Sequence, residues 1–341
     1  MKQWPGRRPC RASHFVALPL FPVLPFGITP MIRTSKWIAV NAPDQPLTEA
    51  ARQALAARLG TVWQFLALSA GGAEDNVENV HQLRVWSRRA KAATTIFGEL
   101  LPPRRARWML KQLDRIRRAA GVARDCDVLA ERLARRAEKA DGEALAATLE
   151  RVRARRRAAQ PPIDAMHIRL RQRRFDVRVA ELVERVRYQQ PGPEPDCAAA
   201  GRSFLRNGVD EFFSAADGNL SDVESLHCFR IAGKRLRYAL EIFSGAFDAD
   251  LREDVYPVVE QLQEKLGRIN DHATAQQQFE EWLETAGQDE ESALRKLIKA
   301  EKNALRRDRR AFFAWWTAEK SQSLSRRFDR LLSGRENREA G

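Results

Sequence analysis

Two short segments of this chain carry a histidine and several cations at the same spacing, and the pattern suits the binding of an anion. His81, Arg84, Arg88, Arg89 and Lys91 in the first segment recur as His227, Arg230, Lys234, Arg235 and Arg237 in the second. Every charged position keeps its sign. The alignment runs on without a gap to place Ile96-Phe97 over Ile242-Phe243, Gly121 over Gly267 and Asp125 over Asp271. Arginine offers a planar fork that donates two parallel hydrogen bonds to phosphate oxygens, whereas lysine supplies a point charge. Histidine adds a donor whose charge changes near neutral pH.

On a helix that turns about 100° per residue, His81, Arg84, Arg88 and Lys91 fall within a narrow arc, opposite Leu83, Trp86, Ala90, Ala93 and Phe97. The second copy sets His227, Arg230, Lys234 and Arg237 against Phe229, Ala232, Leu236, Ala239 and Phe243. Each helix would bury one stripe and present a cationic stripe about 15 Å long. A single stripe of this kind reads more readily as the solvated face of a surface helix. Two features favour a ligand instead. A solvated face mixes signs, because like charges four residues apart repel, and these stripes hold almost no acid. The pattern also occurs twice in register.

Two further rows are weaker candidates. His167, Arg171, Arg174 and Arg178 share a face of a helix expected to run to residue 189, and Lys299, Lys302, Arg306 and Arg309 share a face of one expected over 290–316. Both lie in Arg-rich stretches, where a plain solvated face is as good a reading as a ligand site.

Signs of catalysis are missing from the sequence. It holds no Gly-rich phosphate loop, no His-Glu-x-x-His and no acidic cluster at ligand spacing. Cys10, Cys126, Cys197 and Cys228 are scattered without a Cys-x-x-Cys pair, which argues against a zinc site or a disulfide framework and for a reducing cytoplasm. The expectation is a binding protein, not an enzyme, with no cofactor and no metal.

The elements that position these residues are expected to be helices throughout. Ala, Leu, Arg and Glu fill long stretches, and strand-like alternation is hard to find after about residue 45. The 341 residues, 44 % hydrophobic, are enough for a sizeable core. Against 45 acidic side chains stand 59 Lys and Arg, a formal charge of +14 that attracts polyanions.

Residues 1–45 read as an N-terminal extension, disordered or added by a misassigned start codon. Its apolar run over 15–28 is interrupted by Pro19, Pro22 and Pro25 and is too short to span a bilayer. Residues 46–190 form a first helical half, the Pro-Gly-rich stretch 191–196 a linker, 197–333 a second half and 334–341 a disordered tail. Asp75-x-x-Glu78 and Ser221-x-x-Glu224 have the form of capping boxes at the start of the two basic helices. Gly121 and Gly267 read as left-handed residues closing a helix. Asp125 and Asp271 read as caps on the next one, with a secondary reading in which they orient arginines.

The duplicated pattern His-x-x-Arg-(Val/Ile)-x-x-(Arg/Lys)-Arg-x-(Lys/Arg), followed each time by Gly-x-x-x-Asp, resembles the CHAD family, the conserved histidine α-helical domain, over residues 46–333. That resemblance implies two pseudo-symmetric antiparallel helical bundles around a basic central groove or pore that binds inorganic polyphosphate. By analogy His81, Arg84, Arg88, Lys91, His227, Arg230, Lys234 and Arg237 would line the groove, with Arg89 and Arg235 at its edge. Some members carry a triphosphatase domain with a Glu-x-Glu-x-Lys signature, which this sequence lacks. The competing partner is RNA or DNA, since both share the phosphate backbone. Binders of single strands interleave aromatic side chains with basic ones so that bases stack. Here Trp86, Phe97, Phe229 and Phe243 fall on the apolar side, and only Tyr238 lies near a basic stripe. A membrane-surface role is disfavoured because the apolar stripes are needed for the core. The expected location is the cytoplasm, at polyphosphate granules.

Overall fold

The computed structural model describes residues 35–38, 42–72, 76–137 and 142–333. The expectations for the first thirty-four residues, for Asp75 and for the tail 334–341 therefore fall outside the described residues. Everything regular among the described residues is helical: α1 (Leu47–Ser69), α2 (Val77–Ile96), α3 (Pro103–Ala119), α4 (Gly121–Ala137), α5 (Gly142–Ala158), α6 (Pro161–Gln172), α7 (Phe175–Glu184), α8 (Cys197–Ala216), α9 (Val223–Phe243), α10 (Tyr256–Leu283), α11 (Gln288–Trp315) and α12 (Ala318–Leu332). The expected all-α class holds.

Proline and capping residues set several of these boundaries. Pro103 opens α3 and Pro161 opens α6, where a missing N–H removes no helical hydrogen bond. Asp196 and Asp222 cap α8 and α9, their carboxylates accepting from the backbone N–H groups of Ala199 and Ser225. The cap of the second basic helix is thus Asp222, one residue later than the expected Ser221. At the first, Asn76 occupies the cap position, but its side-chain oxygen accepts from the Arg156 guanidinium.

Three apolar clusters hold the helices together, and they do not respect the expected halves. One gathers α1, α2, α3, α6 and α7 and takes in Ile242 and Phe243 from α9. A second joins α8, α9, α10 and α12. A third packs Cys126, Leu129, Leu133 and Val152 of α4 and α5 against Phe279, Trp282, Leu294 and Leu297 of α10 and α11. The Pro-Gly-rich stretch is also pinned to the start of α1. Leu47 N–H donates to the Pro195 carbonyl, Cys197 N–H to that of Gln45, and Thr48 N–H to Glu194 Oε1 at 2.6 Å.

Two sequence expectations about glycine fail. Neither Gly121 nor Gly267 is left-handed; positive φ among the described glycines belongs to Gly71 and Gly192. Gly121 starts α4, and Gly267 lies inside the continuous α10, where a helix break was expected. A glycine inside a helix costs about 1 kcal/mol relative to alanine, less than the burial of Leu266 and Ile269 on either side returns. Asp125 and Asp271 consequently sit within helices and cap nothing.

Candidate anion-binding site

Helices α2 and α9 pack against each other, and residues at equivalent repeat positions meet. The rings of Phe97 and Phe243 lie edge to face, 6.0 Å between centroids. Nearby, Arg89 donates from Nε and Nη2 to the two carboxylate oxygens of Glu241, at 2.8 and 3.1 Å, in a buried two-pronged pair. Arg58 of α1 and the Tyr256 hydroxyl also reach Glu241, at 3.7 and 2.9 Å. The apolar stripes deduced from periodicity are buried here: Trp86, Phe97, Phe229 and Phe243 are at most 2 % exposed. Opposite those buried faces, part of each cationic stripe converges on the other.

Arg88 shows the convergence. Its charge acts on both Arg230 and Lys234 of the other copy. Lys234 is half-buried, and its ammonium is pushed down to about 7, first by burial and then by Arg230, Arg88 and Arg237, with Asp271 opposing. Burial lowers Arg230 as well, and Arg88 adds to it. Among the described residues no carboxylate lies within ion-pair distance of Arg88, Arg230 or Lys234.

Around this nucleus Arg84 donates to the Arg117 carbonyl at 3.4 Å and stands 3.9 Å from Asp125. Burial lowers its pKa, Asp125 resists, and Arg88, Arg117 and Arg124 add to the fall. His81 is also shifted below its ordinary value, by burial and then by Arg124. Arg117 and Arg124 thus belong to the cluster, and the repeat search missed them because their second-copy counterparts are Gln263 and Asn270. Asp125 favours the charged form of Arg84, and Asp271 that of Arg230 and Lys234.

Other expected site residues are engaged elsewhere. Lys91 donates to both oxygens of Asp114, at 2.7 and 3.0 Å, and Arg237 lies 3.9 Å from Glu260, at the equivalent position of the repeat. Arg237 is also 3.7 Å from Glu241; burial, the largest single influence, opposes its charge, but Glu241, Tyr238 and Tyr256 together raise the pKa. Arg89, expected at the groove edge, is removed from it by the buried pair with Glu241. Arg235 is exposed and points to Glu211 at 3.5 Å. His227 is exposed, its Nδ1 3.4 Å from Arg230.

The row containing His167 does not lie on one helix. Arg174 adopts a left-handed conformation, φ 51° and ψ 55°, which ends the run of α6 and starts α7. His167 stacks at 5.4 Å from Trp63, Arg171 is exposed, and Arg178 lies over Trp108, 4.8 Å from its centroid. In the α11 row Lys302 pairs with Glu280 at 3.2 Å, Arg309 donates to the Ser221 carbonyl at 2.6 Å and Arg306 is exposed.

Among the described residues no group of three or more His, Cys, Asp or Glu side chains is placed to hold a metal ion. None of the described helices is long and apolar enough to cross a membrane. Cys126 and Cys197 are buried free thiols, each pushed up to about 11, chiefly by that burial.

A family model described as the CHAD domain matches residues 47–280. The chain belongs to the CHAD family. Polyphosphate binding is a known property of that family. This CHAD chain is similar to the crystal structure of the CHAD domain from the plant Ricinus communis, with a TM-score of 0.62 and 24 % identity, covering 85 % of this chain and 94 % of that one. It is also similar to PptA from Streptomyces chartreusis, with a TM-score of 0.58 and 17 % identity over 82 % of this chain and all of that one. Uncharacterized proteins from two strains of Mycobacterium tuberculosis are 30 % identical over 180 residues. The match takes in 48 % of this chain and only 34 % of those relatives.

Proposed function

We propose that this CHAD chain binds inorganic polyphosphate, without catalysis, at one site shared by α2 and α9. Arg88 carries the reading: a cation of the first copy acts on Arg230 and Lys234 of the second, and among the described residues no carboxylate lies within ion-pair distance of any of the three. Such crowding disfavours the folded protein alone and is relieved by a polyanion, so a phosphate chain gains from it what mixed-sign surfaces cannot offer. Arg84, Arg117, Arg124 and His81 extend the site on the first-copy side. The equivalent pairs Lys91–Asp114 and Arg237–Glu260 support the inference that the halves 46–190 and 197–333 are copies of one unit.

Nucleic acid is the second reading, and burial of the rings weighs against it. Tyr238, the one aromatic near a basic stripe, is 7 % exposed, with Arg237 packed 5.1 Å from its centroid. A base therefore finds no platform on the α2–α9 face. The test is competition between labelled long-chain polyphosphate and single-stranded RNA at equal phosphate concentration. Polyphosphate is expected to stay bound and to release steeply with salt. Displacement by RNA would overturn the specific claim. Replacing Arg84 and Arg230 together by Ala is expected to weaken binding at least about tenfold. The same reading puts the protein in the cytoplasm at polyphosphate granules, which a fluorescent fusion checks.

A further inference from the structure

One face of α3 repeats the chemistry of the shared site and leads away from it. Arg104, Arg107, Lys111, Arg115 and Arg118 recur at spacings of three and four and lie within one arc of the helix. That arc is about 20 Å long at 1.5 Å per residue. The helix has a single acid, Asp114, which Lys91 and Arg117 engage at 2.7 and 3.6 Å. Helix α6 packs alongside, and it and the residue after it add cations: burial first, then Arg169, Arg173 and Arg118, lower the Arg115 pKa. At one end, the C-terminus of α3 touches the shared site through the Arg84 bond to the Arg117 carbonyl. At the other, Arg104, Trp108, Arg173, Arg174 and Arg178 line a cleft of about 460 Å³ beside the left-handed Arg174.

The aligned positions of the second copy carry no cation. At the same repeat offset, the positions of the α3 cations fall on Asp250, Glu253, Pro257, Gln261 and Glu264. The shared site is built from both copies, but the stretch that leaves it is basic on one side and acidic on the other. A row of cations kept merely for solubility has no reason to invert its sign across a repeat that preserves sign in the site itself.

We propose that a polyphosphate chain longer than the shared site continues along the α3–α6 face to the cleft at Arg174, and never along α10, so that the first half makes the protein selective for long chains. The proposal rests on the polyphosphate reading above and adds an exit path and a length preference. Each additional cation met by the same molecule adds to affinity and to salt dependence, while a ligand that fills only the shared site gains nothing from α3.

The experiment uses the full chain with two probes, tripolyphosphate and a polyphosphate of several hundred units, and two triple variants. R107A/R115A/R173A removes track cations; K296A/R310A/R326A removes the same charge from exposed positions on α11 and α12. At about 0.1 M salt the track variant is expected to lose about tenfold in long-chain affinity, with a logarithmic salt slope shallower by about two, and to bind tripolyphosphate as the parent does. The control variant is expected to keep long-chain affinity within about twofold. Unchanged long-chain binding by the track variant, an equal loss for both probes, or an equal loss in the control would overturn the proposal. If the parent protein binds neither probe, the polyphosphate reading itself has failed, a result distinguishable from loss of the track alone.

Discussion

Arg89 grips both carboxylate oxygens of Glu241, at 2.8 and 3.1 Å, so the two helices that carry the duplicated basic stripe are clamped together at the residue next to Arg88. Neighbours in sequence thus have opposite duties. Arg89 spends its charge holding α2 to α9, and the charge of Arg88 acts on Arg230 and Lys234. Replacing Arg89 by Ala breaks a buried pair and is expected to destabilise the fold by about 3 kcal/mol. Arg88→Ala should leave stability within about 0.5 kcal/mol and weaken polyphosphate binding several-fold. Urea unfolding read beside binding isotherms distinguishes the two; the reverse pattern would refute the division of labour.

Lys234 is expected to make stability, and the proposed binding, depend on pH. Its pKa falls from 10.5 to about 7 on folding, so between those values the unfolded chain holds a proton that the folded one has released. Its contribution therefore makes ligand-free stability rise with pH from about 7 toward 10.5, and below 7 the crowded charge is fully present. A bound polyanion favours the charged amine, so affinity should fall as pH climbs through 7. Thermal unfolding across this range with and without polyphosphate tests both signs, and Lys234→Met should flatten the two profiles.

Gly121 offers a way to disturb binding without disturbing the fold. A Cβ there would lie 3.2 Å from Arg84 Nη1, at the first residue of α4. Helix propensity favours alanine over glycine by up to about 1 kcal/mol. Gly121→Ala should therefore keep or raise the melting temperature while displacing the Arg84 fork and lowering polyphosphate affinity by a few fold. A loss of stability with unchanged affinity would show that Arg84 does not depend on this approach.

Glu301, like Glu241, is a buried carboxylate that gathers cations from other helices. Fully buried on α11, it accepts from Arg132 at 2.9 Å and Arg136 at 2.7 Å, both on α4, and meets His272 Nδ1 of α10 at 2.5 Å. Glu301→Gln leaves two guanidinium groups without their shared counter-charge and should destabilise by about 3–5 kcal/mol. Because these contacts join elements on both sides of the 191–196 stretch, unfolding should remain a single transition that shifts as a whole. Two separated transitions in the variant would mean that the halves fold independently.

Much of the site was legible in the sequence because a helix converts spacing into direction. The buried stripes Leu83–Trp86–Phe97 and Phe229–Leu236–Phe243 follow from periodicity alone, and with them the side on which Arg84, Arg88, Arg230 and Lys234 emerge. Repetition in register then picked these out from the other arginines. Periodicity could not tell which cations an acid would claim. Lys91, Arg89 and Arg237 match their neighbours in type and spacing, yet Asp114, Glu241 and Glu260 reach them from other helices or the following turn. Nor did it foresee Arg117 and Arg124, because the aligned positions of the second copy are the uncharged Gln263 and Asn270.

The sequence by itself determined the helical class, the inward faces and the doubling of a cationic stripe, because each depends on residues within a few turns of one another. Only the tertiary structure decided that Arg88 approaches Arg230 and Lys234, that α10 runs unbroken through Gly267 while the run of α6 ends at Arg174, and that Asp125 and Asp271 lie within helices instead of capping them. Those outcomes rest on packing between residues far apart in the chain. There, burial of an apolar side chain or pairing of a charge outweighs the fraction of a kcal/mol by which local propensity prefers one conformation to another.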